Sequence, residues 1–187
     1  MRIRYFVLFA MFFMVFSCKS TKGIQSNSVF IMIYDYNNSP VSNVEIFLDE
    51  DRIGKSDVNG RFVFDINDRK EHKIRLEKKD HEAISDLFVY EDSLLLYYKM
   101  GSSNQYLNMA EDCIDKKSYE EALAKVTKSL QINPTREDSM FLEAIIYSFL
   151  GEYERSNLVL DKLGKDVNSK YIEELRKKNG QIQEKKD

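Results

Sequence analysis

The sequence predicts two domains in one chain, a β-sandwich followed by an all-α domain of helical hairpins. Three observations predict them. Across residues 29–100, short runs of strand-forming residues alternate with turn signals. Across residues 106–134 the apolar period becomes helical. Tyr106, Met109, Ala110 and Cys113 share one face, and Ala122, Leu123, Val126 and Leu130 share another. A shift of 34 residues from Tyr106 then reaches Met140 and meets the pattern again in Ala144, Tyr147, Gly151, Tyr153, Ser156 and Leu160. A chain of 187 residues has room for two small domains and no more, and its 43% hydrophobic and 32% charged content is ordinary for a folded protein.

The chain opens with Arg2 and Arg4, then an apolar run of 12 residues, 5–16, leading into Ser17 and Cys18. A membrane span needs about 20 apolar residues, so the run is too short for one and has the build of a secretory signal. Ser17-Cys18 in that setting resembles the lipobox of bacterial lipoproteins, although Phe16 is bulkier than the residue usual there. The resemblance implies cleavage after residue 17, palmitate-type acylation of Cys18 and membrane attachment in the cell envelope. Lys19 in place of Asp points, by the enterobacterial sorting rule, to the outer membrane facing the periplasm. Residues 18–28 then serve as a polar, lipid-anchored linker. Loss of residues 1–17 removes Arg2 and Arg4 and no acid, so 28 basic side chains become 26 against 31 acidic, a net of −5. No basic footprint for nucleic acid remains. Cys113 falls on a buried helix face and Cys18 is acylated, so no disulfide is expected.

The strands follow in order. VFIMIYDY from residue 29 ends at the turn residues Asn37, Asn38, Ser39 and Pro40. Next come residues 44–49 (VEIFLD), a short edge at 52–56 (RIGKS) and residues 61–66 (RFVFDI). KIRLEK alternates, with Ile74 and Leu76 inward and Lys73, Arg75 and Glu77 outward; AISDLFVY and LLLYYKM complete the set. Asn59-Gly60 suits a tight hairpin with positive φ. Taken with SPVSNVEIFLD, the DVNGRFVF hairpin resembles the carboxypeptidase regulatory-like sandwich and the related PEGA-type lipoprotein sandwiches. That resemblance implies an immunoglobulin- or prealbumin-like, non-catalytic accessory fold over residues 29–100. Asp57 and Asn59 could open a calcium loop, but Arg61 and Val63 stand where oxygen donors are needed, so a tight turn is expected and no metal.

YLNMAEDCIDKKSYEEALAKVTKSLQINP, residues 106–134, resembles a tetratricopeptide repeat, with Tyr106, Met109/Ala110, Cys113, Ala122, Val126 and Pro134 at its marked positions. The second copy departs at Glu143, where an apolar residue is usual, and at Asn168, where Pro is. A third copy fails. Instead Val167, Tyr171, Ile172 and Leu175 form one apolar stripe, with Arg176, Lys177 and Lys178 outside and Gly180 as a stop. Residues 101–180 are therefore expected to hold two repeats and a capping helix, with a polar tail at 181–187. The hinge at 101–104 is short enough that the domains should touch.

For chemistry, the sequence offers little. His72 and His81 lack closely spaced partners and are expected as solvent-exposed strand-end residues. Asp49, Glu50 and Asp51 read as a solvated loop. The basic cluster at 69–79 reads as one wet sheet face, with contact to anionic lipid as the lesser reading. No nucleophile–base pair, phosphate loop or zinc spacing is present, so a non-enzyme without cofactor is expected. The repeat resemblance implies a groove lined by Leu107, Glu111, Ile114, Phe141, Ile145 and Phe149, all apolar but Glu111. Either a protein partner occupies it, or the cap helix or sandwich covers it. The expected function is a lipid-anchored envelope adapter that holds a protein partner through its repeats. The alternative is a structural envelope lipoprotein whose sandwich binds glycan or peptidoglycan through the rings of Tyr34, Tyr36, Tyr90, Tyr97 and Tyr98.

Overall fold

The structure, a computed structural model, describes residues 27–91, 93–163 and 169–183. The signal segment, Cys18, most of the linker, Val167, Asn168 and the last residues of the polar tail lie outside them. Among the described residues, seven strands form two sheets. β1 (Ser28–Tyr34), β4 (Arg61–Asp65) and β7 (Leu95–Lys99) lie in the order β4-β1-β7. β2 (Glu45–Leu48), β3 (Asp51–Lys55), β5 (Glu71–Glu77) and β6 (Ile84–Val89) lie in the order β3-β2-β5-β6. All pairings are antiparallel except β1 with β7, which run parallel with Phe30 beside Leu95 and Tyr34 beside Lys99.

Strand alternation decides which side chains meet. Val29, Ile31 and Ile33 of β1 turn inward and are buried with Ile46, Ile74, Leu76 and Met100 in one core. Burying each aliphatic side chain of this size contributes about 1.5–3 kcal/mol, so this face fixes the register of β1, β2 and β5. Polar side chains shape the turns. The Asp57 carboxylate accepts from the backbone N–H groups of Asn59 and Arg61, both at 2.8 Å, ahead of Gly60 at φ +71°. The hairpin is thus closed by its own aspartate, as a turn and not a calcium loop. Asp49 and Glu50 both have positive φ and link β2 to β3 in the manner of a primed two-residue hairpin.

Five helices follow among the described residues: α1 (Ser103–Asp115), α2 (Tyr119–Ile132), α3 (Glu137–Phe149), α4 (Tyr153–Leu160) and α5 (Ser169–Gln183). Each packs on the next. Ser102 caps α1 by accepting from the Gln105 N–H at 3.1 Å. α3 begins and ends 34 residues after α1, and α4 begins 34 after α2. Lys117 and Gly151, also 34 apart, hold the two inter-helix turns in the left-handed region at φ 59° and 78°. Ala110, Ala122, Ala144 and Ser156 are all fully buried, which lets the paired helices approach closely.

The last helix departs from expectation. It runs through Gly180 to Gln183 and does not stop there; an added Cβ at Gly180 would meet nothing within 4 Å. Tyr171 is exposed, while Ile172 and Leu175 pack on the cluster of Ala144, Val159, Leu160 and Leu163. A polar residue does much of the anchoring. Asn179 is fully buried: its Oδ1 accepts from Ser148 at 2.7 Å, and its Nδ2 donates to Ser156 at 2.9 Å and Asn157 at 3.2 Å.

The segment expected as a hinge is fixed. Gly101 is buried, and a Cβ there would come within 2.7 Å of the Tyr106 ring and 2.8 Å of the Tyr36 ring. The Glu82 carboxylate accepts from the Gly101 N–H at 2.6 Å, the Tyr106 hydroxyl at 3.0 Å and the Tyr36 hydroxyl at 3.2 Å. Burial, with Tyr36 and Glu82 alongside, pushes the Tyr106 hydroxyl far above its ordinary pKa. The two domains touch through this node, which ties the β1–β2 connection, the β5–β6 connection and α1 together.

Candidate functional site

The six side chains expected along the helical groove fall into three groups. Leu107 is buried at 6% exposure and cannot reach a partner, a correction to its expected place on the groove. Ile114 and Phe141 are half-buried and spent on packing. Ile114 lies against Ala110, Cys113, Val126 and Ile146, and Phe141 against Ala144, Val159, Leu160 and Leu163. Glu111 and Phe149 are exposed, and Ile145 is half-buried outside either cluster. With only two hairpins and α5, the same side chains that would line a long concave face are needed to close the cores.

Phe149, at the end of α3, is 43% exposed. Its ring stacks on Tyr119 at 4.9 Å and 20°, and the Lys178 ammonium lies 5.2 Å from its centroid. These residues come from α2, α3 and α5, so an aromatic and cationic patch forms at one end of the helical domain. Glu143, the departure from the repeat pattern, is half-buried, and burial pushes its carboxyl pKa up against the opposing pull of Lys162. Burial likewise raises the Cys113 thiol, which is free and packed in the first hairpin.

In the sandwich the structure overturns one expectation. His72 is not a solvent-exposed strand end. It is buried in β5, with Nδ1 2.6 Å from Asp49 and Nε2 2.7 Å from Asp68. Both ring nitrogens are engaged by carboxylates, so the charged imidazolium, with two donors, suits the site best. The hydrogen bond to Asp49 is the main cause holding its pKa above 6.5, opposed by burial and helped by Asp68; the same contacts lower both aspartates. Asp49 belongs to the β2–β3 turn and Asp68 to the β4–β5 connection, so His72 pins two loops across the sheets. A raised histidine pKa stabilises the fold fully below the unfolded value near 6.5 and loses that contribution as pH climbs through the folded value. The lowered aspartates act at the other end, losing their contribution as pH falls below about 3.8. The melting temperature should therefore fall from pH 5.5 to pH 9, and His72→Gln should flatten that slope. An unchanged slope in the variant would show that the ring does not titrate between the two carboxylates.

Glu50 of the acidic trio joins part of the basic cluster in an ion network. Glu50 takes Lys73 at 2.9 Å and Arg75 at 3.5 Å, and Arg75 also bonds Glu77 while its guanidinium lies 4.0 Å over the Phe47 ring. Of the five rings weighed for glycan, Tyr90 and Tyr98 are buried, and Tyr36 is engaged at the Glu82 node. Tyr34 and Tyr97 stack on each other at 5.8 Å. Sequence reasoning missed His72 because its partners sit 23 and 4 positions away in connections without periodicity. It missed Glu82 because the tyrosines it binds lie 46 and 24 positions away. Among the described residues no group of three or more His, Cys, Asp or Glu could hold a metal ion, and no helix is long and apolar enough to cross a membrane.

No protein-family model matches the chain, and no curated protein matches it in sequence. Among solved structures it is similar to BcpA, the major pilin subunit of Bacillus cereus, at 13% identity and a TM-score of 0.35 over 40% of this chain. It is also similar to a streptococcal ancillary pilin, at 9% identity and a TM-score of 0.35 over 43% of this chain. The matched stretches span only 28% and 33% of those pilins, and no function is carried over from them.

Proposed function

We propose that the chain is a lipid-anchored envelope adapter, held at Cys18, in which the sandwich carries a pair of tetratricopeptide-type hairpins that hold a protein partner without catalysis. The observation that carries this reading is the structural repeat: α3 and the start of α4 restate α1 and the start of α2 at a spacing of 34 residues. The buried small residues and left-handed turns keep that same spacing. Repeats of this period serve as scaffolds for surface recognition. The partner face is narrower than the sequence suggests, consisting of Glu111, Ile145 and Phe149 with Tyr119 and Lys178 beside the last. The glycan alternative loses two of its five rings, Tyr90 and Tyr98, to burial, while Tyr36 and Tyr97 stay exposed.

Two variants test the reading. Phe149→Glu should abolish capture of the partner from detergent-solubilised envelope. It should lower stability by only about 0.5–1.5 kcal/mol, the worth of one aromatic pair. A collapsed melt would instead assign Phe149 to the core. Cys18→Ala should leave the protein unprocessed or in the aqueous phase of a detergent partition. Normal processing and continued detergent partition would sink the lipoprotein assignment.

A further inference from the structure

The outward face of the three-stranded sheet carries side chains that the adapter reading does not use. Register places Val63, Phe30 and Leu95 in one row across β4, β1 and β7, and Arg61, Met32 and Tyr97 in the next. Phe30, Val63, Leu95 and Tyr97 are 43%, 50%, 55% and 51% exposed, although strand alternation on this face would normally set polar residues toward water. A shallow depression of about 510 Å³ lies among Phe30, Met32, Arg61, Val63 and Leu95. The apolar row sits at one end of the sheet. Ser28 opens β1 there, beside Asp65 at the end of β4, while the helices leave from the opposite end after Lys99.

We propose that this face docks onto the lipid surface beside the anchor; the inference rests on the reading of Cys18 as lipidated. The position of the linker argues for lipid as the occupant. Nine residues lie between Cys18 and Ser28, ten Cα steps, which limits the reach to about 35 Å even when fully extended. Phe30 lies only about 7 Å further along β1. A tether this short holds the face near the bilayer at an effective concentration on the order of millimolar, so a small apolar contact is enough to seat it. The chemistry fits an interface: Phe30, Val63 and Leu95 for the acyl boundary, Tyr97 at headgroup level, and Arg61 in the adjoining row for phosphates. A second copy of the chain fits less well. Four half-exposed side chains, even at about 200 Å² each, offer roughly 400 Å², half of the ~800 Å² per partner of a standard protein interface.

The chain contains no tryptophan, so a single introduced one reports its own surroundings. Leu95→Trp and, as a milder second reporter on the same face, Tyr97→Trp would be made in the full lipidated chain. Each would be reconstituted in phosphatidylcholine vesicles with and without brominated acyl chains. Leu158→Trp, at a 61% exposed position on α4, is the control. Both sheet reporters should be quenched by bromine at least threefold more than the control. A chain that floats with the vesicles but shows equal quenching at all three positions overturns the docking and leaves the anchor standing. A chain that does not float overturns the anchor and the docking with it. A blue-shifted but unquenched Leu95→Trp with doubled sedimentation mass assigns the face to a second copy and also overturns the proposal.

Discussion

Gly60→Val should remove roughly 2–5 kcal/mol of stability, read as a lowered urea midpoint. Gly60 sits at φ +71°, where a β-branched residue costs about 1–2 kcal/mol in the backbone alone. Its Cβ would also stand 2.3 Å from the Ile33 carbonyl oxygen and 3.1 Å from the Val41 nitrogen. Neither is a side-chain tip that can swing aside. The Ile33 N–H donates to the Gly60 carbonyl at 2.8 Å and the Val41 N–H donates to Ile33 at 2.9 Å, so the intruding carbon sits inside a backbone lattice. Overpacking of that kind adds about 1–3 kcal/mol. Gly180→Ala is the matched control. It lies within α5 with open space around the added carbon, and should be neutral or stabilising by up to about 1 kcal/mol. Equal midpoints for the two variants would show that the Asp57–Gly60 turn does not constrain the sandwich.

Asn179→Ala should release α5 from the rest of the helical domain. The substitution leaves a cavity at a fully buried position and strips the Ser148 hydroxyl of its acceptor. An orphaned buried polar group costs about 1–3 kcal/mol, and the void adds to it. The other described contacts of α5 are weaker: Ile172 and Leu175, both half-buried, pack on the neighbouring cluster, and Arg176 and Lys178 make exposed contacts to Asp161 and Phe149. Hydrogen exchange should therefore show lost protection across α5 while the strand amides of the sandwich stay protected. Retained protection in α5 would mean that the two apolar residues suffice to hold it.

Much of this architecture was legible in the sequence, and the parts that were not share a physical cause. Alternation in KIRLEK placed Ile74 and Leu76 in the core, and the 34-residue period placed Ala110, Ala122, Ala144 and Ser156 at buried helix contacts. These are local, periodic signals. Parallel pairing of β1 with β7 left no such trace, because it joins segments more than sixty residues apart whose turns say nothing of each other. His72 looked exposed because Lys73 and Glu71 flank it, while its two aspartates approach from loops. Gly180 looked like a stop because glycine commonly ends helices; the buried amide one residue earlier holds the helix through it. The groove was legible as a face, but not whether it stands open or covered. Whether Leu107 or Phe141 meets water depends on how many hairpins are stacked and on where α5 lies, which periodicity does not encode.

The parallel pair of β1 and β7 also gives the sandwich a mechanical polarity. Chain enters β1 at Ser28 and leaves β7 at Lys99, and the two strands lie side by side in the same direction. A pull between Ser28 and the helices therefore grips neighbouring strands at opposite ends and drags them past each other. The load is borne in shear by the whole ladder from Phe30–Leu95 to Tyr34–Lys99, whereas tension across a hairpin such as β2–β3 would peel its bonds one at a time. Along the line joining Ser28 to the helices, the sandwich is built to resist stretching.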